Sequence, residues 1–459
     1  MPPKELSRKL KSTWSLFLTD RAVRYSLLSK IFAFAIGPLT LVSIGTFLRP
    51  EEQGVYYVFG SLLQLGAFID LGFSKSAQQL LAHAFGQLAI EPGRGFSGKE
   101  PRLDKFLVTA KSVFVIYGLL GWLVFLILGP IGHFYLGQSL HSSMANPVGP
   151  WWVMIASIGF SFGLLSVITV AEAANLLSLT NKWRLISEIS GILAFLLVLA
   201  AGGGLWASVA LSWTRCLLTI VPVSIALGTA TWRQILSAHR SDFSYRTDIL
   251  PLQSRNMVGY GMGFLIFYCY TPITLSLLGP VATGVVGMSI QISNIAQNFA
   301  TVWFNAQIPL MGNLAGGGSR AELLSLHAKG TKITAVSWVC ISILLIAGSA
   351  GCKVVFPSIG ARYGTVLEIA LFVIGSGGFA WTHVRATFLR AYRIEPFVVL
   401  SIIQAALTVT LLFVMIPMLG TLGAALSYAA TMMLGACWTE IAYRSFKNGS
   451  HKLSFHQHI

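Results

Sequence analysis

The sequence predicts an all-helical integral membrane protein, with about twelve transmembrane helices in two six-helix lobes and both termini cytoplasmic. Three observations carry this: composition, the spacing of apolar runs, and the placement of positive charge. Of 459 residues, 54% are hydrophobic and only 10% are charged. A soluble domain carries about 25% charged residues, so most of this surface must face something other than water.

The apolar runs identify that solvent as lipid. A helix needs roughly 20 apolar residues to cross ~30 Å of hydrocarbon. Twelve segments qualify: 25–48, 54–80, 106–136, 151–176, 183–201, 205–229, 256–278, 281–311, 331–350, 363–384, 397–416 and 421–443. A soluble protein can bury a few such runs, but not twelve in succession joined by short polar loops. Membrane β-strands would be half as long and would alternate in polarity, which these do not.

Charge placement then sets orientation. With the N-terminus inside, cytoplasmic segments hold 25 of the 32 Lys and Arg, and the external loops hold only Arg49, Lys353 and Arg362. That asymmetry requires an even number of spans. It also accounts for the net charge of +16 without nucleic acid, since no basic, aromatic-interleaved stretch of a nucleic-acid module is present. The chain thus divides into a basic, weakly amphipathic N-terminus (1–24), a six-helix lobe (25–229), a cytoplasmic linker (230–255), a second six-helix lobe (256–443) and a cytoplasmic tail (444–459). Residues 1–24 are expected to lie on the inner membrane surface. The first apolar run is too long to be a signal-peptide core.

Catalytic and metal motifs are absent or weak. Five cysteines are scattered without a C-x-x-C spacing and read as packing residues. AGGGSRAE (315–322) lacks the G-K-[ST] of a phosphate-binding loop. GYGMG (259–263) places Gly259 and Gly263 at the spacing of close helix packing. His451, His456 and His458 belong to a polar tail, and neither H-E-x-x-H nor a Ser/His/Asp order occurs. The chain reads as a carrier rather than an enzyme, with no metal and no cofactor beyond a coupling ion, H+ or Na+.

An internal repeat points the same way. Pro38-Leu-Thr-Leu in the first helix returns as Pro272-Ile-Thr-Leu in the seventh, and Gly54-Val opens the second helix as Gly284-Val opens the eighth. Helices six and twelve begin alike at Gly204 and Gly420. These matches suggest two halves of like orientation, related by an axis along the membrane normal. Transporters so built bind substrate between their halves.

Charges inside the spans are costly and therefore informative. Glu188 has Arg184, and Glu440 has Arg444, four residues away, the spacing of a local helical pair. Asp70, Glu172, Glu368, Lys30, Lys75, Lys111 and Arg215 have no such partner. Asp70 lies at a depth from which it could bridge to Lys30 or Lys111. The three lysines either snorkel to the inner headgroups or face a lumen. Arg215, about 15 Å from the outer end of its helix at 1.5 Å per residue, is too deep to snorkel and is expected to face a watery cavity or an anion. Amides mark a lumen as well. Gln291, Asn294, Asn298 and Asn305 share one face of helix eight, and Tyr57, Ser61, Gln64, Lys75 and Gln79 one face of helix two. Such stripes either glue helices together or line a polar passage.

These residues sit within a family likeness. Pro50-Glu51-Glu52-Gln53-Gly54-Val55-Tyr56, Asp70-Leu71-Gly72 and Pro417-Met-Leu-Gly420-Thr-Leu-Gly423-Ala-Ala-Leu426 resemble the polysaccharide-biosynthesis (Wzx-like) flippases. That family belongs to the superfamily of lipid II flippases and multidrug exporters. The resemblance implies a bacterial inner-membrane protein that flips an undecaprenyl-pyrophosphate-linked oligosaccharide to the periplasmic leaflet by alternating access, for O-antigen or exopolysaccharide assembly. Its partners would be membrane lipids and the polysaccharide polymerase and chain-length proteins. Arg215, Lys30, Lys75 and Lys111 would hold pyrophosphate, and Gln64, Tyr57, Gln291, Asn294, Asn298 and Asn305 the sugars. Asp70, Glu172 and Glu368 are the candidates for ion coupling. Two rivals stand beside this reading. A multidrug exporter would favour acids over the four basic and three acidic unpaired charges found here. A membrane glycan polymerase or ligase would need a larger, basic external loop.

Overall fold

The computed structural model describes residues 21–70, 73–86, 88–91, 94–139, 146–238, 261–317, 319–392 and 397–447. Apart from a small hairpin, β1 (Ala89–Glu91) with β2 (Gly95–Ser97), the ordered elements are helices. They are α1 (Arg21–Phe47), α2 (Pro50–Leu63), α3 (Gly66–Asp70), α4 (Phe73–Phe85), α5 (Glu100–Ser139), α6 (Val148–Gly163), α7 (Leu165–Ala173), α8 (Leu177–Ala200) and α9 (Trp206–Ser237). The second half adds α10 (Tyr270–Ala306), α11 (Ile308–Gly316), α12 (Arg320–Val355), α13 (Pro357–Gly360), α14 (Val366–Ala391), α15 (Val398–Leu419) and α16 (Thr421–Lys447).

Helix occupies each of the predicted apolar segments. Among the described residues, eight helical stretches are long and apolar enough to cross a membrane. One of these, Gly261–Ala306, runs 46 residues, about twice what a bilayer needs. It is broken at Gly279, whose φ of 80° lies outside the helical region just before Pro280. Large apolar side chains are widely exposed, among them Ile225 at 73% and Leu344 at 66%. Exposure of that kind is tolerable only against lipid. The protein is a multi-pass membrane protein.

Segment two departs from its prediction as one continuous helix. Its helix is interrupted at Gln64–Leu65, between α2 and α3. The stripe predicted from Tyr57 to Gln79 on one helix face is therefore divided at Gln64, the C-terminal cap of α2. Local signals explain one end. Pro50 sits in the first turn of α2, where its missing N–H costs nothing, and the Glu52 carboxylate accepts from Arg49 N at 3.1 Å. Gly263 shows no close packing either, since a Cβ there would meet nothing within 4 Å. The predicted linker begins as helix, since α9 continues to Ser237, while residues 239–260, with Gly259, and the tail histidines lie outside the described residues.

The chain forms two compact units. Unit 1 comprises Met1–Ser43, Leu65–Gln138 and Ala145–Tyr260, and unit 2 comprises Ile44–Gln64, Ser139–Met144 and Gly261–Ile459. In unit 1, α4, the hairpin, α5 and α7 close around Phe73, Phe85, Phe96, Phe106 and Tyr117. In unit 2, one core gathers Tyr270, Phe372, Leu412, Ile416 and Tyr428 from α10, α14, α15 and α16.

Unit 2 also contains the α2–α10 seam, where the repeat glycines meet. A Cβ on Gly54 would fall 1.9 Å from the Pro280 carbonyl, and one on Gly284 would fall 3.2 Å from Gly54 N. Glycine is required because the backbones approach too closely for any side chain. Gln53 fastens the seam, its Nε2 donating at 3.0 Å to both Gly284 O and Arg362 O.

Candidate functional site

Arg215 lies on α9, a helix otherwise apolar for most of its length. Its stem packs over Gly191 of α8, where a Cβ would come within 2.8 Å of Arg215 Cγ. The residue is exposed. Exposed Trp206, Leu217, Val221 and Ile225 form an apolar stripe spanning about 100° of the helix, at ~100° per residue. Arg215 stands roughly 80–180° away from each of them on the same count, so it is set off from the stripe that faces lipid. Its guanidinium makes no hydrogen bond or ion pair with the described residues.

The other predicted cations differ. Lys111 Nζ donates to Ala238 O at 2.6 Å, closing the C-terminal end of α9. It is thus committed to a helix carbonyl and is not paired with Asp70. The side chains of Lys30 and Lys75 lie outside the described residues.

Each predicted acid of unit 1 already has a partner. At the end of α3, Asp70 Oδ1 accepts from Ser74 Oγ at 2.6 Å and from Ser74 N at 3.2 Å. On α7, Glu172 accepts from Gln78 Nε2 at 2.8 Å and pairs with Arg184 Nη2 at 2.7 Å. Arg184 therefore does not pair with Glu188, four residues on, which instead accepts from Ser29 Oγ. A local helical pair contributes only about 0.2–0.5 kcal/mol, and a mostly buried carboxylate on another helix outbids it. Tyr117 of α5 brings its hydroxyl beside those of Ser74 and Thr169.

Unit 2 treats charge differently. Glu368 caps α14: its carboxylate accepts from Thr365 N at 2.5 Å and from Thr421 Oγ1 at 2.5 Å, while Thr365 Oγ1 accepts from Glu368 N. This is a reciprocal capping box. Glu440 keeps its predicted partner Arg444 at 2.7 Å and gains Arg385 at 2.8 Å. Arg385 is held between the rings of Trp381 and Tyr443, 4.5 and 4.2 Å from their centres. Arg385 escaped sequence reasoning because it falls one residue past predicted span 363–384, whereas α14 continues to Ala391.

The amides of α10 divide. Gln291, Asn298 and Asn305 are exposed and Asn294 is half-buried, and Asn305 Oδ1 meets His383 Nε2 at 2.7 Å. Gln64 is exposed at the C-terminal cap of α2. Tyr57 is buried, its ring filling the space left by Gly287.

The sequence matches no protein-family model and no curated protein. Solved structures do resemble it. An inward-facing multidrug resistance MATE family transporter of the MOP superfamily aligns with 93% of this chain and 99% of its own, at TM-score 0.59 and 12% identity. The lipid II flippase MurJ in an inward closed conformation aligns over 92% and 87%, at 0.61 and 11%. A MOP superfamily transporter from Pyrococcus furiosus aligns over 93% and 96%, at 0.53 and 13%. The fold is that of the MATE and MurJ transporters. At these identities the likeness concerns the fold alone. Within this MATE- and MurJ-like fold, all four predicted cations belong to unit 1, and all six predicted sugar-binding residues belong to unit 2.

Proposed function

We propose that this protein flips a pyrophosphate-linked oligosaccharide lipid, of the undecaprenyl type, from the cytoplasmic to the outer leaflet of a bacterial inner membrane. It works by alternating access, coupled to an ion gradient, and serves cell-surface polysaccharide assembly together with polymerase and chain-length proteins. The observation that carries the reading is Arg215. An exposed guanidinium, set off from the lipid-facing stripe and without a partner among the described residues, is costly inside a membrane unless it meets water or an anion. Its planar fork suits a phosphate with two parallel hydrogen bonds.

The exposed amides of unit 2 support the sugar half of the substrate. Amides on a membrane helix need hydrogen-bonding partners, and sugar hydroxyls both donate and accept. The fold itself is shared by a multidrug transporter and a lipid flippase, so it does not choose between them. The free cation favours an anionic headgroup over a cationic drug. Proteoliposomes decide the matter: the purified protein should move a fluorescent pyrophosphate-linked glycolipid and leave a cationic dye in place. Movement of the dye alone would establish the exporter reading instead.

A further inference from the structure

One exposed amide of α10 is held by a side chain that neither the headgroup nor the sugar assignment uses. Asn305 Oδ1 meets His383 Nε2 at 2.7 Å. An amide oxygen can only accept, so Nε2 carries the proton and donates. His383 packs in turn against two rings, Phe304 edge-on at 6.4 Å and Phe379 at 6.5 Å and 35°. Phe379 meets Phe267 edge-on, with centres 4.8 Å apart. Both phenylalanines pack against the core of unit 2 and remain half-buried.

The histidine contact decides what Asn305 can offer. Its oxygen is engaged, while its N–H2 group has no partner among the described residues and belongs to an exposed side chain. Gln291 and Asn298, on the same face, can both donate and accept. A sugar hydroxyl at Asn305 could accept, but its own proton would find that oxygen already engaged. A carbonyl loses nothing there, because it only accepts. Beside this donor stand aromatic rings, which suit an apolar group. The acetamido substituent of a sugar answers both features, with a carbonyl at one end and a methyl at the other. A carboxylate would accept as well, but its charge is disfavoured at the negative face of a ring.

We propose that Asn305, His383, Phe379 and Phe267 form a subsite of unit 2 for an acetamido sugar. Asn305 donates to the carbonyl, His383 positions Asn305, and the phenylalanines take the methyl and the apolar face of the sugar. The proposal rests on the glycolipid reading and narrows its substrate to glycans that carry an N-acetylated residue.

Binding of free sugars tests the subsite apart from transport. The full chain in detergent micelles is mixed with N-acetylglucosamine or glucose, and magnetisation passing from protein to sugar is read by NMR. Transfer should be strongest at the acetyl methyl, and the acetamido sugar should bind about fivefold more tightly, as one added hydrogen bond allows. His383→Leu should abolish that preference, and so should Asn305→Ala at its exposed position. His383→Gln, whose amide can still donate to Asn305, should keep most of it. Phe379→Leu should weaken transfer to the methyl. A purely structural His383 would change the amount of folded protein but not the preference of what folds. Equal binding of the two sugars, binding of neither, or a preference that survives in Asn305→Ala or in folded His383→Leu overturns the proposal. Acetamido preference in a protein that flips no pyrophosphate-linked glycolipid would support the subsite and sink the flippase reading alone.

Discussion

The two units spend their polar residues in opposite ways. In unit 2, charge is structural: Glu368 caps a helix, and Glu440 is locked between Arg385 and Arg444. Along α10, the polar groups that unit 2 leaves exposed are neutral, the amides of Gln291, Asn298 and Asn305. In unit 1, Lys111 is tied to a helix end and Glu172 to Arg184, but the cation of Arg215 has no hydrogen-bond or ion-pair partner among the described residues. A substrate with an anionic head and a neutral, hydroxyl-rich body needs both kinds of surface. The contrast teaches that counting intramembrane charges is not enough. Which charges are already spent decides which remain for a ligand.

The sharpest way to break this comparison is Arg385→Ala. If Arg385 is structural, its loss leaves Glu440 partly buried with only the exposed Arg444, at a cost of about 2–4 kcal/mol. Abundance of folded protein should fall strongly, while transport per folded molecule stays level. A specific transport defect at normal abundance would move Arg385 into the substrate path and erase the contrast between the units. Gly54→Ala comes next. Its Cβ would collide with the Pro280 carbonyl, and overpacking of this kind costs about 1–3 kcal/mol. A lowered unfolding midpoint is expected, and an unchanged one would mean that the α2–α10 seam yields without cost. The smallest effect belongs to Asn298→Ala. Stability should hold within about 0.5 kcal/mol, as for other exposed positions, and the flipping rate should fall several-fold only for lipids that carry sugars. Equal loss with a bare pyrophosphate lipid would remove the amides from sugar recognition.

Much of the fold was legible, because the need to cross hydrocarbon writes itself into the sequence as long apolar runs. Gly54 and Gly284, singled out as openings of apolar runs, lie at the close approach of α2 and α10. The interruption of segment two was not legible. Gln64 and Leu65 carry no breaking signal of their own, and the break is set by what surrounds them. The candidate site was legible only in part. Arg215 and the amides stood out because polarity in an apolar run is visible. The Glu172–Arg184 pair was hidden, since a local spacing offered Arg184 a nearer partner and only the tertiary structure brings α7 against α8. Tyr117 was hidden more deeply, as a tyrosine in a span carries no mark of what its hydroxyl meets.

The central claim is that Arg215 is reserved for an anion, and flipping per folded molecule tests it most directly. Arg215→Ala and Arg215→Lys would be reconstituted at matched amounts of folded protein with a pyrophosphate-linked glycolipid. The account predicts near-normal folding for both, almost no flipping for Arg215→Ala, and partial flipping for Arg215→Lys, which keeps the charge but loses the fork. Flipping per folded molecule that is unchanged in Arg215→Ala would contradict it.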